Sequence, residues 1–340
     1  MWRCLSTILI GALLSASCGG AGGDTAPPSR VARIRQRGVL VCGVFPGIAG
    51  FAQVDRQGNY SGFDIDMCRA VAAAILGSAG KIRYEPIASI DTFQRSADID
   101  IVSRRLTWTL RREGLHVLFG PVTFYDGQGF LVPERLDVAH APELAGKPVC
   151  VEGGSEHDVT LTAYFHRNQI ALNAVRVENG TAGGRALAEG RCQALSADVS
   201  ELASVRSMMD NPHGFRILAD RISQEPLAQL VREEDVDLFN VLRWTVFAMI
   251  DAEELGVTSA NVAEMVKRDD PDIARLLGVN AGNGAALGLD ETWARHVIAD
   301  VGNYGEVFER NLGTATPIAM ERGPNAPSTR GGLLFAPPLK

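Results

Sequence analysis

The run Gly153-Gly154-Ser155-Glu156-His157-Asp158 sets a hydroxyl, an imidazole and two carboxylates side by side. Nucleophilic catalysis needs a base within hydrogen-bond reach of its nucleophile. Neighbours on one helix do not face one another, and the glycine of a nucleophile elbow is missing. The run therefore reads as a helix start capped by Ser155. Gly282-Asn283-Gly284 to Gly288 has the glycines of a dinucleotide loop. It follows Leu276-Leu277-Gly278 rather than a strand, and no later acidic residue is correctly placed, so a plain glycine loop is expected. There is no GxxxxGK[ST] run, which argues against nucleotide hydrolysis. The six histidines are scattered and no HExxH occurs, so neither a metal nor a cofactor is expected.

Six cysteines remain to be explained. Cys4 and Cys18 fall in the N-terminal segment. Cys42, Cys68, Cys150 and Cys192 form an early pair and a middle pair, and no CxxC supports zinc. Four cysteines allow three connectivities. Proximity selects Cys42–Cys68 and Cys150–Cys192, one bridge in each half of the chain.

The elements that must position these residues alternate between strand and helix. Val39–Val44 reads as a buried strand. Asp64 to Leu76 places Ile65, Cys68, Val71, Ala72, Ile75 and Leu76 on one helical face, with Gly77 as its stop. Ile82–Ile87 and Ile99–Ser103 are further strands, and Gly129–Val132 reads as a crossing segment. A second alternating unit follows. Pro148–Val151, Val175–Glu178 and Cys192–Ala197 are strands, and helices are expected from Ser155 to His166, Ala182 to Glu189 and Val199 to Met209. Long helices return at Asp235–Glu254 and Ser259–Lys267. The alternation implies mostly parallel sheets flanked by helices. One lobe is inserted into another, with two crossings and a ligand cleft between them. Residues 31–125 and 223–340 are assigned to the first lobe, the latter with a helical C-terminal extension, and 126–222 to the second.

Composition narrows the function classes. The chain has 340 residues, 46% of them hydrophobic and 21% charged, a globular balance that excludes wholesale disorder. A net charge of −7 argues against a nucleic-acid partner. Past the first twenty residues no apolar run is long enough to span a bilayer; Val241 to Leu255 is broken by Arg243, Asp251, Glu253 and Glu254. At the N-terminus, Arg3, the apolar Leu5–Leu14 and the small residues after it read as an export signal over residues 1–17. Cys18 resembles a lipid-modified cysteine, and residues 18–30 a flexible tether. The expected location is periplasmic, either anchored through Cys18 or released by plain cleavage, in an oxidising space where disulfides persist.

Separated blocks of the chain resemble the periplasmic polar amino-acid-binding proteins. They are Gly43, Gly62-Phe63-Asp64-Ile65-Asp66, Tyr125-Asp126-Gly127-Gln128-Gly129-Phe130 and Arg191-Cys192. Arg243-Trp244-Thr245, the block Val301 to Asn311 and the tail Gly331 to Pro338 are similar, more specifically, to general L-amino-acid-binding components of ABC transporters. The resemblance runs from about Val31 to Lys340. It implies the type II two-lobe periplasmic-binding fold with a two-strand hinge. It also implies capture of a free L-amino acid, delivery to membrane permease subunits, and a monomer with no catalytic activity.

The resemblance also assigns roles. Arg112 would grip the ligand carboxylate, with Thr107 lining the pocket and Ser155 at the second-lobe helix start meeting the same carboxylate. Asp198 would hold the ammonium, and Trp108 would line the cleft. Without the resemblance, Arg112 is one of four crowded arginines, Asp198 a helix cap and Trp108 a core residue. Departures surround the pocket. Arg105 stands where the family usually has asparagine, Leu106 and Glu156 where it has threonine, Phe45 near a usual polar residue, and Gln193 for an aspartate. Arg105 adds positive and Glu156 negative charge, so ligand choice can drift. Two rival functions share the fold: a dehydratase-like enzyme, for which Glu156 would be the new carboxylate, and a sensor without transport.

Overall fold

A computed structural model describes residues 28–340. The expected signal segment, the first part of the tether and Cys18 lie outside the described residues. No helix among the described residues is long and apolar enough to cross a membrane.

Among the described residues, twelve strands and thirteen α-helices succeed one another. The first lobe opens with α1 (Arg30–Arg37), β1 (Leu40–Val44), the hairpin β2 (Gln53–Val54) and β3 (Tyr60–Ser61), α2 (Phe63–Leu76), β4 (Ile82–Pro86), α3 (Ile90–Arg95), β5 (Ile101–Val102), α4 (Leu110–Glu113) and β6 (Val117–Asp126). Then come β7 (Gln128–Pro133), β8 (Pro148–Glu152), α5 (Glu156–Arg167), β9 (Asn173–Val177), α6 (Gly180–Ala188), β10 (Ala194–Asp198), α7 (Val199–Ser207) and β11 (Phe215–Ile217). The chain returns through β12 (Glu225–Arg232) and α8 (Val236–Glu254). It ends in α9 (Val262–Met265), α10 (Pro271–Leu276), α11 (Asn283–Ala286), α12 (Trp293–Asp300) and α13 (Tyr304–Asn311).

The strands form two five-stranded sheets, ordered β4-β1-β5-β12-β6 and β11-β7-β10-β8-β9. Both are mixed rather than uniformly parallel. β1 runs parallel to β4 and β5, and β8 to β9 and β10. β12 runs antiparallel to β5 and β6, and β7 antiparallel to β10 and β11. The reversed strands are those that enter or leave a lobe through the crossings. Gly129–Val132, expected as a crossing, lies inside β7 and is paired on both sides. The crossings are at Asp126–Gly127 and Ser223–Glu225, where Asp126 pairs with Glu225. A Cβ on Gly127 would sit 2.6 Å from the Ser223 carbonyl oxygen, so the close approach of the two crossings needs a glycine.

α2 begins at Gly62, with φ 127° and the Phe51 carbonyl 2.2 Å from where a Cβ would be, and stops at Gly77 in the left-handed conformation. Its buried face joins α8, α12 and α13 in one core, where Phe51, Phe63, Phe124, Tyr304 and Phe308 meet edge to face or stacked. The helix expected at Ser259–Lys267 is confined to α9, because Thr258 and Asn261 side chains hydrogen-bond local backbone in a turn before it. The glycine loop at Gly282–Gly288 is filled from within: the Glu291 carboxylate accepts from the backbone N–H groups of Gly282, Gly284 and Ala285.

Cys42–Cys68 joins β1 to α2, and Cys150–Cys192 joins β8 to the segment before β10, one bridge in each lobe. They span 26 and 42 residues. Loop-closure entropy gives about 3.5–4 kcal/mol each. Replacing both cysteines of one bridge by serine should lower unfolding free energy in urea by about that amount, while leaving the other lobe's bridge intact in peptide maps.

Candidate functional site

A cavity of about 510 Å³ opens between the two sheets. The first lobe contributes Phe45 to Ile48 from the loop after β1, and Arg104 and Arg105 from the loop after β5. The second contributes Glu152 at the end of β8, Asn179 to Thr181 at the start of α6, and Asp198, Glu201, Ser204 and Met208 along one face of α7. Cations thus line one wall and carboxylates the other.

The loop carrying the arginines is stitched down tightly. Ser103 N–H donates to the Gly43 carbonyl, and its hydroxyl donates to Asp64 Oδ1 at 3.0 Å. Thr107 bridges to Leu227, Trp108 N–H donates to the Pro226 carbonyl, and Leu106 accepts from Ala228. Burial pushes the Asp64 carboxyl up to about 6 against the pull of Ser103 and both arginines. Between these anchors the chain must turn sharply, and Arg105 takes φ 55°. Asparagine and glycine tolerate that left-handed conformation best.

Asp198 ends β10 opposite Gln128 of β7. Its carboxylate makes no capping bond to α7, so the helix-cap role is not the one it plays. Instead it faces the His157 imidazole, Nε2 at 3.1 Å, and the Arg105 guanidinium, Nη2 at 3.7 Å. Arg105 comes from the opposite wall, and its side chain is 11% exposed against 15% for Asp198. The guanidinium also lies 5.2 Å over the Phe51 ring. Gln128 is buried and braces the pair, donating to the His157 carbonyl and to the Ser196 hydroxyl, both at 2.9 Å. Burial alone would push Asp198 up, but the contact with His157 and then the charges of Arg105 and Arg112 hold it below the usual carboxylate value. Asp126, half-buried at the crossing, is pushed up to about 6 by desolvation and by the charge of Asp198.

The other expected residues sit beside this cluster. Arg112 donates to the Thr107 carbonyl at 2.8 Å and reaches Glu156 Oε2 of the second lobe at 3.7 Å. Glu156 is 81% exposed, so water screens that pair. Thr107 is buried and supplies its carbonyl to Arg112. Ser155 caps α5, accepting from Asp158 N–H and donating to the Glu152 carbonyl at 2.7 Å. Trp108 stays outside the cavity: it stacks on Phe119 at 6.0 Å and donates to Glu113. Arg104 lies over Phe45 and donates to the Ala88 carbonyl. Among the described residues no cluster of three or more His, Cys, Asp or Glu is arranged for a metal.

His157 and Glu201 were not foreseen. His157 belonged to a run explained by capping alone. Glu201 and Ser204 follow Asp198 at three-residue spacing, which puts them on the same helical face, and that periodicity was the available signal.

Two lobes, two crossings and opposed charges across a cleft define a solute-binding protein of the hinged type. The model of bacterial extracellular solute-binding proteins, family 3, matches residues 40–277, and the chain belongs to that family. It is 42% identical over 337 residues to the general L-amino acid-binding periplasmic protein AapJ of Rhizobium johnstonii, covering 96% of this chain and 99% of that one. It is 40% identical over 311 residues to the glutamate/glutamine/aspartate/asparagine-binding protein BztA of Rhodobacter capsulatus, covering 90% and 92%. A solved structure, an ABC transporter periplasmic binding protein from Brucella ovis with glutathione bound, superposes with a TM-score of 0.85 at 39% identity, covering 92% of this chain and all of that one.

The His157–Asp198 contact has a measurable sign. Burial lowers the imidazole value, while Asp198 and then Glu201 raise it, with a net result above 6.5. Stability from this pair is complete below the unfolded value and fades as pH rises through the folded one. In a titration followed by nuclear magnetic resonance, His157 should titrate above 6.5. In Asp198→Asn it should fall below its parent value, since burial and the charge of Arg105 then oppose only Glu201.

Proposed function

We propose that this chain captures a free L-amino acid between residues 31–125 with 223–340 on one side and 126–222 on the other. It then delivers the ligand to the permease subunits of an ABC uptake transporter. The observation that carries this is the sorting of charge: Arg104 and Arg105 line one wall of the cavity, with Arg112 beside them, and Glu152, Asp198 and Glu201 line the other. A zwitterion is complementary to such walls. Arg112, with the N–H groups at the start of α5, grips the carboxylate, and Asp198 receives the ammonium. Thr107 positions Arg112 through its carbonyl. Export by residues 1–17 and a lipid on Cys18 would keep the protein at the membrane where the permease sits. It works as a monomer without cofactor or nucleic acid.

The enzyme alternative finds little support: Glu156, the carboxylate it would need, is exposed and faces Arg112 rather than the cavity. The AapJ and BztA relatives are named as amino-acid-binding proteins, and the Brucella ovis neighbour holds a small peptide. Thermal shift of the exported domain against the twenty amino acids and glutathione tests the reading. A true ligand raises stability by RT ln(1 + [L]/Kd). A flat response across the panel would count against amino-acid capture.

Arg112→Ala removes a charge-assisted bond and leaves the ligand carboxylate unpaired in a shut cleft. It should weaken the best ligand by about two to three powers of ten. Calorimetry measures this, and unchanged affinity would remove Arg112 from the site.

A further inference from the structure

We infer that Arg105 is a built-in competitor for the ammonium subsite, so that the chain's own guanidinium must leave Asp198 before a ligand amine can bind there. This rests on the amino-acid reading above and names how that site selects its ligand.

The two halves of the zwitterion clamp are unequal. Both contain an ion pair across the cleft at 3.7 Å, Arg105–Asp198 and Arg112–Glu156. In the second pair Glu156 is 81% exposed, and a ligand carboxylate displaces it at little cost because water already competes. In the first pair both partners are largely buried, the guanidinium is packed over Phe51, and its Nε has no hydrogen-bond partner. Asp198 already faces His157 on its other oxygen. An incoming ammonium therefore enters a subsite whose anion already has a cation, and it gains only the difference between itself and Arg105.

The displaced guanidinium has somewhere to go. Glu201 lines the same cavity one turn along α7, is half-buried, and pairs with no cation among the described residues. Arg105 already acts on it electrostatically. Swinging from Asp198 to Glu201 keeps the guanidinium paired while the amine takes its place. Arg105 is thus a specificity residue: it weakens every ligand that needs the ammonium subsite and spares those that do not.

The test is calorimetry with L-glutamine, L-glutamate and their N-acetyl derivatives on the parent, Arg105→Asn, Arg105→Gly and Glu201→Gln. Asparagine and glycine both suit φ 55°, so these variants keep the loop. The parent should separate each free amino acid from its N-acetyl form by only a few-fold. Arg105→Asn and Arg105→Gly should bind the free amino acids about tenfold tighter or more and leave the N-acetyl forms unchanged, which opens the discrimination. Glu201→Gln should weaken the free amino acids in the parent background and not in Arg105→Asn. The inference is overturned if Arg105→Asn and Arg105→Gly bind free amino acids no tighter than the parent, including the case in which none of them binds. It is also overturned if the parent already rejects the N-acetyl forms tenfold. In that second case amino-acid capture itself would stand.

Discussion

A carboxylate as buried as Asp198 stays ionised only where cations reach it, since moving a charge out of water costs several kcal/mol. One of those cations, Arg105, is on the other lobe. The two lobes are therefore tied by an electrostatic requirement as well as by chain. Much of the second lobe serves to hold that carboxylate in place. β10 ends at it, Gln128 beside it fixes the backbone of His157, and α7 carries Glu201 and Ser204 on the same face. The hydroxyl of Ser204 accepts from Ala49 N–H of the first lobe at 2.9 Å, adding a neutral cross-lobe bond beside the charged ones.

The side away from the cleft is braced. Asn325 brackets Tyr125 in the crossing strand, accepting from its N–H and donating to its carbonyl. The Tyr304 hydroxyl donates to the Thr123 carbonyl two residues earlier. Arg322 makes a forked pair with Glu253 and covers Tyr304 and Phe308. From the second lobe, Arg206 donates to the Ile318 carbonyl. The C-terminal extension thus stiffens β6 up to Asp126 and leaves the crossings themselves, Asp126–Gly127 and Ser223–Glu225, as the short segments where rotation can occur. Hinge motion confined to a few residues between rigid lobes is how such clefts open and shut.

Much of this was legible in the residues. Apolar β-branched runs broken by glycine gave the strand and helix order, Gly77 marked the end of α2, and the spacing of four cysteines picked the two bridges. The mixed direction of the sheets was hidden, because strand pattern reports burial and not polarity. Asp198 and Arg112 became candidates only through resemblance. Arg105 was visible as an intruding charge, but its direction depends on a backbone φ of 55° that loop anchoring imposes from Asp64 and β12. The direction of Trp108 depends on tertiary contact in the same way: the bridge at Thr107 turns its ring onto Phe119.

That charge on opposite walls holds the lobes together is tested most directly by distance. Spin labels on non-natural residues at positions 95 and 167, exposed ends of α3 and α5, report the separation of the lobes by double electron–electron resonance. With no ligand added, the parent should show a narrow, short distance, and Asp198→Asn, which keeps the shape and loses the charge, a longer and broader one. Identical distributions in the two proteins would contradict the electrostatic tie.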